Sequence, residues 1–296
     1  MLSFLAALAA SCSPLGLDRD GLEALRNAEF AIESAEERDA FLFDLADCAG
    51  EPDPFLRDRI GYEGMATILR SGDVSEETVR ELYGQYTELL RILPRYLDRG
   101  TRKKNRGLRP SFLTLYFTEI VRVDRIEPFL TDEELADLVD LTEFVIYNVN
   151  DFRGFDDEQG WRHHLAHASD LAMQLGLNPR VTDEQRLELI KVLTGKIQPP
   201  GKVFFRFGEP ERVARAVAYL YLGSEIEAEA MREAFFSLAE PSGWTWQAAM
   251  NSEAGLGRLH NTRAFLNAMI VTLYGSDQPR LVALRKAAVE ARRKLP

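Results

Sequence analysis

Apolar residues recur along this chain at three- and four-residue intervals, the period of an amphipathic helix, and alternating strand patterns are nearly absent. Two short helices are predicted first, over 18–31 and 36–48. Asp18 and Ser34 stand as N-caps, and Leu22, Leu25, Phe41 and Leu45 mark the buried stripe. Glu51-Pro52-Asp53-Pro54 then breaks the pattern, because two prolines do not fit inside a helix. Ten more helices follow as five pairs: 55–70 with 75–98, 109–123 with 131–148, 161–175 with 182–196, 210–222 with 225–238, and 256–274 with 278–294.

Each first helix carries an arginine near its start, at Arg57, Arg109, Arg162, Arg212 and Arg258, with intervals of 52, 53, 50 and 46 residues. Such a period in an all-helical pattern predicts an all-α fold of about five stacked helical hairpins, a HEAT- or armadillo-like α/α solenoid. An irregular α/α bundle or toroid is the alternative. Three second helices begin on a cap, at Ser75, Thr131 and Thr182. In the last two a Glu or Gln follows three residues later, as in a capping box. Lys202-Val203-Phe204-Phe205-Arg206-Phe207 alone has β character, and Gly/Pro breaks on both sides make it a loop or short extended segment. No long linker divides 18–296, which therefore reads as one domain.

Composition narrows the function classes. A net charge of −11 argues against a general nucleic-acid binder, which needs a basic field. Residues 2–10 form an apolar run too short to span a bilayer, with the length of a signal-peptide core but no basic residues before it. Residues 1–17 are therefore expected to be an export segment, with a docked N-terminal helix as the alternative. Leu8-Ala9-Ala10-Ser11-Cys12 also has the form of a lipoprotein cleavage box, which would put a lipid anchor on Cys12. Cys12 and Cys48 are the two cysteines. In an oxidising compartment they could instead form one disulfide, and one sulfur cannot do both.

Candidate chemistry gathers in 151–171, which holds three of the four histidines. On a helix from 161, His163, His167, Asp170 and Gln174 share a polar face, and His164 turns about 100° away toward the apolar side. His163 and His167, four apart, could share a metal ion, although the metalloprotease glutamate is missing. Asp170 lies about 10.5 Å of helical rise from His163, too far to join both histidines on one ion. A third ligand would come from His260, Asp151 or Asp156. Asp170 more naturally orients His167 or pairs with an arginine.

Asp151, Arg153 and Asp156 form the entry turn with Gly154, which would permit a positive φ, and Trp161 follows. The turn's carboxylates precede a helix start, where the dipole favours them. His260, beside Arg258 and Arg263, holds the equivalent place in the fifth pair. The basic cluster 99–106 reads as a solvated loop. Gly255-x-Gly257 follows no strand, and neither Ser111 nor Ser169 lies in a nucleophile elbow. Trp244 and Trp246 line a pocket or cap the last hairpin.

The run Asp151…Arg153-Gly154-Phe155-Asp156…Gly160-Trp161-Arg162-His163…His167…Asp170-Leu171 resembles the bacterial family known as domain of unknown function 2785. So do Leu56-Arg57-Asp58…Ile60-Gly61-Tyr62-Glu63, Leu108-Arg109-Pro110-Ser111 and Gly208-Glu209-Pro210-Glu211-Arg212, and the resemblance spans roughly 18–239. His164 and Ala168 depart from it, standing where relatives often carry Gly. The resemblance implies a fold and an important stretch but no reaction. It also implies a Cys12–Cys48 pairing and export to the periplasm or outer surface. Two functions stay open. One is a helical-repeat binding or scaffold protein with a polar groove around 151–174, taking a protein or small-molecule ligand. The other is a metal-dependent or acid–base hydrolase centred on His163, His167 and Asp170. No cofactor is indicated.

Overall fold

The computed structural model describes residues 12–96 and 105–296. The apolar run 2–10 and all but the last two residues of the basic cluster 99–106 lie outside them. The chain is all-α, and no helix among the described residues is long and apolar enough to cross a membrane. It divides into two compact units. Unit 1 comprises 12–96 and 105–131 with 155–167, and unit 2 comprises 132–154 with 168–296.

In unit 1, α1 (Arg19–Asn27) and α2 (Ala35–Cys48) start where their caps predict. Asp18 accepts from the Gly21 amide at 2.9 Å and Ser34 from the Glu37 amide at 3.3 Å. A π-helical segment, Phe55–Tyr62, runs into α3 (Glu63–Ser71), followed by α4 (Glu76–Tyr96) and α5 (Leu108–Ile126). The π segment packs on α2 and α5, α3 on α5, and α4 on α5 and α2. Phe41, Leu45, Ile60, Met65, Leu82, Phe112, Tyr116 and Phe117 fill the core between them.

Gly61 lets the π segment approach Tyr116 closely. A β-carbon there would lie 2.0 Å from the Tyr116 hydroxyl, which is buried and donates to the Arg57 carbonyl at 2.6 Å. Gly61→Ala is expected to cost about 2–3 kcal/mol by overpacking this site. Tyr116→Phe in the same chain removes the clashing oxygen and should recover part of the loss. A double-mutant cycle in urea measures that coupling.

Unit 2 contains α6 (Asp132–Tyr147), α8 (Asp183–Gly195), α9 (Glu209–Leu222), α10 (Ala228–Ala239), α11 (Trp246–Ala249), α12 (Glu253–Thr272) and α13 (Pro279–Arg293). The second helices α6, α8, α10 and α13 each pack on the next, and α9 packs on α8 and α12. Thr182 and Gln185 close the expected capping box. Arg186 is wholly buried and ties one corner, donating to the carbonyls of Gly176 at 2.6 Å, Asn178 at 2.7 Å and Val181 at 3.0 Å. Residues 202–207 form a loop, as expected, pinned by Asn261, which accepts from the Phe205 amide at 2.8 Å and donates to the Val203 carbonyl.

α7 (His164–Gly176) is shared, belonging to unit 1 as far as His167 and to unit 2 from Ala168. It starts three residues later than its periodicity predicts. Phe155–Asp156 (β1) and Gly160–Trp161 (β2) instead pair as a small antiparallel hairpin, with Phe155 opposite Trp161. The left-handed turn this needs falls on Gly160, at φ 70°.

Candidate functional site

The hairpin 155–161 is anchored from beneath by two buried arginines of unit 1. Arg57 donates to the Glu51 carbonyl at 2.9 Å and to the Gln159 carbonyl at 2.7 Å. Its guanidinium lies 2.8 Å from Asp58 and 4.4 Å above the Phe112 ring. Arg162 donates to Gln159 Oε1 at 2.7 Å and to the Arg106 carbonyl. Gln159 in turn donates to Asn105 Oδ1 at 2.7 Å. Asp156, one of the candidate ligands, shapes the turn. It accepts from the amides of Gln159 at 2.7 Å and Glu158 at 3.1 Å.

Burial pushes the Asp58 carboxyl up to about 6, against the pull of Arg57. A carboxyl whose folded value lies above its unfolded value of 3.8 stabilises the fold fully below that value. That contribution fades as pH rises and is gone above about 6. Asp58→Asn removes the titration. From pH 4 to pH 7 the variant should gain up to about 3 kcal/mol relative to the native chain. Urea midpoints at the two pH values test this; equal shifts in both proteins would refute it.

Above the arginines, His163 and His167 come together. Their ring centroids lie 6.2 Å apart, and His163 stacks 4.4 Å from Trp161. His163 precedes the helix in a left-handed conformation, φ 41°, which costs a side chain energy. Its carbonyl still accepts from the His167 amide at 2.9 Å. His167 is buried edge-to-face on Phe112 at 5.1 Å. Its Nδ1 lies 2.9 Å from Ser111 Oγ and 3.1 Å from the Ser111 carbonyl.

A carbonyl only accepts, so Nδ1 carries the proton. Ser111 Oγ gives its own proton to the Arg162 carbonyl. The pair is thus not a nucleophile and its base. In the neutral ring it leaves the lone pair on Nε2. The hairpin partner of Trp161 is Phe155, 5.0 Å away, and both are solvent-facing, at 43% and 38% exposure.

The expected polar face of 163, 167, 170 and 174 differs in two ways. His167, Asp170 and Gln174 are all buried, and only His163 is half-buried. The set is also divided, with the histidines in unit 1 and Asp170 in unit 2. There Asp170 pairs with Arg212 through both oxygens, one at 2.9 Å from Nε, and with Arg215 at 3.3 Å. Burial raises its pKa, and the two guanidinium groups oppose that.

Asp151 holds Arg153 at 2.7 Å. Gly154 has no positive φ. Its missing β-carbon matters because one would sit 2.3 Å from the Phe207 ring and 2.5 Å from Glu209. His260 donates from Nε2 to the Phe205 carbonyl at 2.9 Å within unit 2. Trp246 donates to the Ala239 carbonyl at 2.6 Å, and Trp244 packs edge-on against it. Among the described residues no three His, Cys, Asp or Glu side chains are grouped to hold one ion.

Arg57, Ser111, Phe112 and Gln159 were not legible as site residues, because their partners lie far away in sequence. The recurring arginine was the available signal. Arg57 and Arg162 anchor the hairpin, and Arg212 neutralises Asp170.

Cys12 and Cys48 form a disulfide in unit 1. No curated protein and no solved structure matches the chain. A family model described as protein of unknown function, DUF2785, matches residues 103–271. It starts later than the resemblance read from the sequence and runs further, through most of α12. With more than half the chain covered, including the hairpin, both histidines and the Asp170–Arg212 pair, the protein belongs to the DUF2785 family.

Proposed function

We propose that the protein is a binding protein without catalytic activity and that ligand lands on the ledge of Phe155, Trp161 and His163. What carries this reading is the contrast between ledge and support. The polar groups beneath are committed to fixed internal partners, whereas two large aromatic rings of a rigidly held hairpin face outward. Such rings offer contact area at little entropic cost and suit flat apolar or amphipathic ligands. The reading takes the helix pairs as a HEAT-like stack, an architecture whose usual work is binding. A fluorescence screen against aromatic, sugar and peptide panels tests it. Hits should vanish in Trp161→Ala while the melting temperature holds; hits that all survive would remove the ledge from consideration.

His163 and His167, with rings 6.2 Å apart, support a second reading, an acid–base or metal-assisted hydrolase, since histidine commonly serves as metal ligand and general base. Turnover of nitrophenyl esters or phosphates, lost in a folded His167→Asn variant, would establish it instead. The disulfide supports export, since such bonds persist in oxidising compartments. It also argues against a lipid on Cys12. Cell fractionation should find the oxidised chain outside the cytoplasm; a reduced, full-length cytoplasmic chain would sink the export reading.

A further inference from the structure

Charge is distributed unevenly in this acidic chain. Residues 279–296, which include α13, hold six Arg and Lys residues against Glu290 alone. Some of these are accounted for. Arg280 pairs with Glu225, Lys294 with Glu240, and Glu290 itself with Arg232. The helix dipole favours Arg292, Arg293 and Lys294 in and beside the last turn. It does not account for Arg285 and Lys286, which lie mid-helix.

Arg285, Lys286, Arg292 and Arg293 have no carboxylate partner among the described residues. Arg285, Lys286, Val289, Glu290 and Arg293 line a shallow groove of about 230 Å³ on the outer face of α13. The groove has apolar neighbours. Arg285 donates to the Leu273 carbonyl at 3.2 Å, which sets it beside the end of α12. There Val271 and Tyr274 stand 73% and 82% exposed.

We infer that this face docks on an anionic lipid bilayer. Two independent features meet there: cations without internal counterions, and an exposed Tyr and Val of the kind that anchor in a membrane interface. An acidic peptide would use the first and leave the second exposed. The chain's overall −11 does not prevent docking, because salt screens charge beyond about 8 Å and only the near face is felt. The cations lie beyond the family match and the face uses none of the hairpin residues, so it does not rest on the proposed binding function.

Flotation of the full, oxidised chain with vesicles tests this. Binding is expected to phosphatidylcholine vesicles containing 30% phosphatidylglycerol and not to phosphatidylcholine alone, and to weaken between about 20 and 500 mM salt. Each cation near such a surface is worth about fivefold in affinity, so Arg285→Gln/Lys286→Gln/Arg293→Gln should lose about a hundredfold. Lys286→Gln/Arg293→Gln removes only exposed side chains and should lose about twenty-five-fold. It serves where the triple variant fails to fold. Val271→Ser/Tyr274→Ser should weaken binding severalfold at every salt concentration. No vesicle binding, equal binding to both compositions, undiminished binding by the double Gln variant, or capture by polyglutamate without vesicle binding would each overturn the inference.

Discussion

Arg57→Ala is expected to lower stability by about 4–5 kcal/mol, with loss of the hairpin before the helices. The side chain is wholly buried and holds three things at once. It donates to the Glu51 carbonyl at the end of the proline break, to the Gln159 carbonyl under the hairpin, and it faces Asp58. Truncation leaves one buried and one half-buried carbonyl without a donor and a carboxylate without its cation, each costing more than the pair contributed. It also opens a cavity beneath Phe112, whose ring the guanidinium covers. Arg57→Lys keeps the charge and loses the fork, so it should recover less than half of the deficit. Urea denaturation gives the energies, and Trp161 emission, read in a Trp244→Phe/Trp246→Phe background, reports the hairpin. A loss under about 1.5 kcal/mol would show that water replaces the guanidinium, and the hairpin would not depend on it.

The helices were legible because their information is local. The apolar period found all twelve predicted helices, although the first ends at Asn27, 55–62 is π-helical and the end expected at 98 lies outside the described residues, and the Thr182–Gln185 box formed as expected. The short helix Trp246–Ala249 was missed. The candidate site was legible in position but not in character. An amphipathic pattern assigns polar residues to solvent, yet His167, Asp170 and Gln174 are buried, because Ser111 serves the histidine and Arg212 and Arg215 serve the aspartate. Those partners lie 42 to 56 residues away, and Arg57 reaches Gln159 across 102. No local period encodes such pairs. The start of α7 was misplaced for a related reason. Gly160 and Trp161 continue the helical pattern on paper, but pairing with Phe155 and Asp156 claims their backbone first.

Removing the Cys12–Cys48 bond is expected to cost about 3–4 kcal/mol, the second-largest effect among these. The bond spans 36 residues of sequence and closes a loop that includes α1 and α2. Chain-entropy arguments give about 4 kcal/mol for a loop of that size. Both sulfurs are buried, and the joined segment is held by further contacts. The Leu15 amide donates to Asp44 at 2.9 Å, the Cys12 amide to Glu51 at 3.3 Å, and the turn Pro14–Gly16 packs on α2. These contacts keep the native geometry when the bond is absent, so the loss falls mainly on the unfolded chain, which gains freedom. Two signatures follow. Cys12→Ala/Cys48→Ala should show a steeper urea dependence than the oxidised protein, because its unfolded state exposes more surface. Dithiothreitol should reduce the native protein slowly in buffer and quickly in urea, because the buried bond must first be uncovered. An unchanged slope with fast reduction in buffer would mean that residues 12–17 open independently of the core, and the bond would then contribute little to the fold.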